Sequence, residues 1–152
     1  MPNLYETDFY GWTLQQAELL RHKQWSKIDL PNLLEEIESL GKQQRQELRN
    51  RLSVLLGHLL KWQYQPERRS RSWLATIRLQ RRETLKLLGD NPSLKSYLPD
   101  AFQSAYENGR DLAMGETNLP LKTFPSECNY SFEQIVDNEF YPGEPSFDIE
   151  EF

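Results

Sequence analysis

Residues 29–66, DLPNLLEEIESLGKQQRQELRNRLSVLLGHLLKWQYQP, carry an apolar stripe along almost their whole length. Leu33, Ile37, Leu40, Leu48, Leu52, Leu55, Leu59 and Trp62 recur three and four residues apart, with one break at Gln44, and that is the period of a helix. Asp29 offers a cap for the opening amides, Pro31 suits the first turn, and Glu35, Glu36 and Glu38 lie near the positive end of the helix dipole. These signals predict one long helix from about Pro31 to Gln65. Pro66 ends it, and Gly41 is the position where it would kink.

Working outward, Phe9, Trp12, Gln16, Leu19 and Leu20 share a helical side ahead of His22, with Thr7 or Asp8 as the cap. Beyond Pro66, Ser70 or Ser72 caps a helix whose apolar side is Trp73, Leu74, Ile77, Leu85 and Leu88. GDNPS at 89–93 closes that helix and starts a helical region running from Pro92 to about Met114. This region is broken near Pro99 and buries Leu94, Leu98, Phe102, Ala105 and Leu112. Residues 115–130 read as a loop, and Ser131 with Gln134 has the spacing of a capping box opening a short last helix. The expected fold is therefore all-α: a mostly antiparallel bundle of about five helices around one long member. A chain of 152 residues fits one domain, here 1–140, followed by an acidic tail, 141–152, that is either disordered or docked.

The formal charge of −5 is unevenly spread. Residues 41–90 hold twelve Lys or Arg against four acids, leaving six against nineteen for the rest, so the middle is +8 and the flanks −13. Cys128 is the only cysteine, which excludes an intrachain disulfide and fits a reducing cytoplasm. The opening residues show no secretory signal pattern. The longest uncharged apolar run, LSVLLGHLL at 52–60, is far short of the roughly 20 residues that span a bilayer, so no membrane partner is expected.

No glycine-rich phosphate loop is present, one Cys and two His cannot supply a standard zinc site, and no cofactor is expected. The basic segment is the outstanding candidate surface. Lys61, Arg68, Arg69, Arg71, Arg78 and Arg82, interleaved with Trp62 and Trp73, have the composition that neutralises phosphates and stacks bases. Both tryptophans also extend apolar stripes, which places them equally well in the core. Two occupants stand open, nucleic acid or an acidic protein partner, and a homo-oligomer pairing its basic middle with acidic flanks is a third arrangement. Arg81 falls inside an apolar face and calls for a carboxylate, with Glu36 or Asp8 as the best candidates. With His58, these residues form a buried polar pair or an alternative site. In the rival enzymatic reading, Glu36, Asp8 or Glu35 binds a metal ion, and His58 or Arg81 serves as base or phosphate clamp in a phosphodiesterase.

Three segments, DFYGWTLQQAELLR, LPNLLEEIESLG and HLLKWQYQPERRSRSWLATIRLQRRE, resemble family 29 of the domains of unknown function, small proteins frequent in cyanobacteria. The likeness covers nearly the whole chain and weakens in the acidic tail. It implies an all-helical fold and a cytoplasmic bacterial protein. Asp8, Trp12, Glu36, His58, Lys61, Trp62, Arg71, Trp73 and Arg81 match the family's motif positions, and no catalytic role comes with them.

Overall fold

The computed structural model describes residues 3–146 and 152. Among the described residues, six α-helices follow one another: α1 (Leu4–Thr7), α2 (Phe9–Arg21), α3 (Leu30–Tyr64), α4 (Arg71–Asp90), α5 (Leu98–Thr117) and α6 (Phe132–Ile135). Short 3-10 turns lie between them, and no strand occurs among the described residues. The fold is all-α, and none of these helices is long and apolar enough to cross a membrane. The chain forms two compact units, Met1–Gln43 and Gln44–Phe152, and α3 contributes to both.

In the first unit, the Asn3 side chain caps α1 at Tyr5 N and Asp8 caps α2 at Gly11 N. Tyr5, Phe9 and Trp12 form an aromatic cluster with centroids 4.7 to 5.7 Å apart. Asp29 organises the start of α3. Its carboxylate accepts from Trp12 Nε1 at 3.0 Å and Asn32 Nδ2 at 2.8 Å, while its own N–H donates to Gln16 Oε1 at 2.8 Å. Those bonds, led by the one from Asn32, hold the Asp29 carboxyl below its ordinary range. Gln16 is thus buried for its amide.

The expected stripe of α3 behaves differently along its length. Leu48, Leu52, Leu55, Leu59 and Trp62 have no solvent exposure, whereas Ile37 is 64% and Leu40 59% exposed. Gly41 interrupts nothing, because α3 runs unbroken through it. In the second unit, Leu52, Leu55, Leu59 and Trp62 pack with Ile77, Leu87 and Leu88 of α4, with Ala101, Ala105 and Ala113 of α5, and with Phe124 and Ile135. Ser70 caps α4 at Trp73 N, and Ser131 with Gln134 completes the capping box of α6. Leu85, expected on the apolar side of α4, is 48% exposed.

The burial pattern of α5 departs from expectation because of its small residues. Its buried side is a row of small residues four apart, Ala101, Ala105, Gly109, Ala113 and Thr117, with Leu98, Phe102 and Leu112 only half-buried beside it. Small side chains let helix backbones approach closely. A Cβ on Gly109 would sit 2.9 Å from both Gly57 N and Ser53 O of α3. The break expected near Pro99 falls at Tyr97 and Leu98, so Pro99 occupies the first turn of α5, where its missing N–H costs nothing. The helix then outlasts the expected boundary and stops at Asn118, in the left-handed conformation with φ 59°.

Candidate binding surface

The basic segment divides into buried and exposed members. Arg68, Arg71, Arg78 and Arg82 are exposed, and the last three share one face of α4 at spacings of seven and four. Beside Arg78 and Arg82, the residues Asn138, Glu139 and Tyr141 complete a concavity of about 260 Å³. Two residues expected on this surface lie beneath it. Trp62 has no exposure and Lys61 3%, because both positions continue the apolar stripe of α3 into the core.

Lys61 keeps its charge company inside. Its Nζ lies 3.2 Å from Glu116 Oε1 and 4.5 Å from the centroid of the Trp73 ring. Glu116, Trp73, Arg68, Gln65, Thr117 and Asn118 line a second concavity of about 370 Å³. Trp73 is half-buried, and one face of it is already taken by an ammonium group. His58, one turn earlier in α3, is buried and donates Nδ1–H to the Val54 carbonyl at 2.9 Å. Burial first, and the Lys61 charge second, push its pKa below the ordinary histidine value. Glu116 carries the pairing in this cluster, and nothing in the run of residues from 115 to 130 marked it for that role.

Arg81 is fully buried, as its place in the apolar face requires, and Tyr141 and the Asp137 charge oppose the pKa lowering that burial imposes on it. Nε donates to the Ile135 carbonyl at 2.7 Å, Nη2 donates to the Phe140 carbonyl, and the guanidinium lies 4.9 Å from the Tyr141 ring centroid. Main-chain oxygens accept these hydrogen bonds, since the chain leaving α6 turns back over α4 and presents its carbonyls there. The two proposed acids are engaged elsewhere. Asp8 is an exposed helix cap, and Glu36 accepts the hydroxyl of Tyr5, a bond that helps raise the Tyr5 pKa to about 12. Asp8 and Glu36 belong to the first unit, His58 and Arg81 to the second. Among the described residues, no three His, Cys, Asp or Glu side chains converge where they would hold a metal ion.

Arg69 and Arg71 grip the C-terminal segment. Arg69 donates through Nε to Trp62 O at 2.9 Å, through Nη1 to Pro145 O at 2.7 Å and through Nη2 to Pro142 O at 3.4 Å. Arg71 Nε donates to the Phe152 oxygen at 2.8 Å, and the Phe152 ring lies 5.6 Å from that of Trp62. Glu144 is close enough to Arg69 to oppose the pKa lowering that burial imposes on it. Phe147, Asp148, Ile149, Glu150 and Glu151, the rest of the acidic and aromatic tail, lie outside the described residues.

The described residues define an all-α fold in which Arg71, Arg78 and Arg82 stand exposed on one face of α4. The family model described as Domain of unknown function DUF29 matches residues 4–141, and the chain belongs to that family. The match stops at Tyr141, so the segment gripped by Arg69 and Arg71 lies beyond it. No curated protein and no solved structure matches the chain.

Proposed function

We propose that this domain is a non-enzymatic binding module whose arginine face engages an acidic segment of protein. The observation that carries this reading is the hold of Arg69 and Arg71 on the main-chain oxygens of Pro142, Pro145 and Phe152. Contacts to main-chain oxygens tolerate many sequences, and acidic side chains add attraction to a segment that is +8 between residues 41 and 90. Nucleic acid is less well served. Trp62 is buried and one face of Trp73 is taken by Lys61, which reduces the aromatic surface on which bases could stack. On this reading the chain's own tail occupies the face and competes with a partner.

The test compares the intact chain with one ending at Pro142, a residue kept because it is buried. A labelled polyglutamate peptide carrying phenylalanine should bind the shortened chain more tightly at low salt, with the advantage shrinking as salt rises. Equal binding by both chains would contradict the reading. Tighter binding of a single-stranded oligonucleotide, with a steep salt slope, would transfer the surface to nucleic acid.

A further inference from the structure

The apolar stripe of α3 does not end where its cover ends. Leu30, Leu34, Ile37, Gly41, Gln44 and Leu48 follow at spacings of four, three, four, three and four, in phase with the buried residues beyond. Yet Leu30 is 62%, Leu34 53%, Ile37 64% and Leu40 59% exposed. Single exposed apolar residues are ordinary, but three leucines and an isoleucine on one face of about three helical turns form a patch of the kind that marks an interaction surface.

Charge and shape name the occupant. Along this helix the acids Glu35 and Glu38 precede Lys42, and all three are exposed. A parallel partner of the same sequence would set like against like. An antiparallel one reverses the order. With the two-fold axis at the level of Ser39, Lys42 of each copy lies opposite position 36 of the other, between its Glu35 and Glu38. The same register sets Ile37 of each copy at the level of Gly41 of the other. Gly41 is a notch in the stripe: a Cβ built there meets nothing within 4 Å, although glycine inside a helix costs about 1 kcal/mol relative to alanine. A knob of one chain and a hole of the other, repeated by symmetry, make a self-complementary contact.

We infer that the first half of α3 is a homodimer interface, in which two copies of the chain pair antiparallel through Leu30, Leu34, Ile37 and Leu40. This inference is independent of the arginine face and of its ligand.

Sedimentation equilibrium of the full chain tests it, with helicity checked by circular dichroism. The intact protein should have twice its 18.1 kDa mass at high concentration. Ile37→Asp, a surface change within one chain, should raise the dimer dissociation constant by about a hundredfold, since two isoleucines lose their burial per dimer. Lys42→Glu should also weaken the dimer, and adding Glu35→Lys and Glu38→Lys to it should restore association. A chain that stays at 18.1 kDa up to millimolar concentration overturns the inference, as does a dimer indifferent to Ile37→Asp. A triple variant no tighter than Lys42→Glu overturns the antiparallel register.

Discussion

Gly57 of α3 and Gly109 of α5 touch backbone to backbone: a Cβ added to Gly109 would come within 2.9 Å of Gly57 N, and one added to Gly57 within 3.1 Å of Gly109 O. Neither glycine has space for a methyl group: a Cβ on Gly57 would also meet Leu112 Cδ2 at 2.7 Å, and one on Gly109 meets main chain of α3 that yields only if a helix moves. Gly109→Ala should therefore destabilise the second unit by about 1–3 kcal/mol, as overpacking of a close contact does. Urea denaturation checks this, with Gly115→Ala as the control, because nothing lies within 4 Å of a Cβ there.

The pair of Lys61 and Glu116 is asymmetric, and its two halves should respond differently to removal. Lys61 is buried, whereas the Glu116 side chain is 49% exposed and can return to water. Glu116→Ala strands an ammonium group over Trp73 and should cost about 1–3 kcal/mol. Lys61→Met keeps the apolar packing of the stem and should cost under about 1.5 kcal/mol. Thermal melts of the two variants check the order.

His58 makes stability depend on pH. Its folded pKa is lowered by burial, so below about 6.5 the unfolded chain takes up a proton that the folded chain refuses. Its contribution is complete above that pH and is lost as pH falls toward the folded value. His58→Gln, which keeps an N–H for the Val54 carbonyl, should flatten that part of the profile. Denaturant midpoints between pH 5 and 8 measure it.

How much of this was legible depends on how far each cause reaches along the chain. Ser70, Asp8 and the Ser131 and Gln134 box act within three residues, and local spacing revealed them. The burial of Arg81 was equally readable from its helical face. Its partners were not, because Ile135 and Phe140 lie 54 and 59 residues away and contribute carbonyls, which carry no side-chain signature. The row Ala101, Ala105, Gly109 and Ala113 is visible at a spacing of four, but weight given to large apolar side chains hid it. The stripe of α3 told which residues share a face. It did not tell where the covering elements stop, and Ile37 and Leu40 are exposed for that reason. Within the basic segment, composition grouped Lys61 with Arg71, and only packing separates the buried cation from the exposed one.

An arginine face that receives an acidic segment should bind that segment when it is supplied in trans. The peptide GEPSFDIEEF, residues 143–152, is titrated by calorimetry into the chain ending at Pro142, at low and high salt. Saturable one-to-one binding is predicted, weakened several-fold by salt and by either Arg69→Ala or Arg71→Ala, with Arg21→Ala leaving it unchanged. No saturable binding, or binding that ignores both Arg69 and Arg71, would contradict the claim.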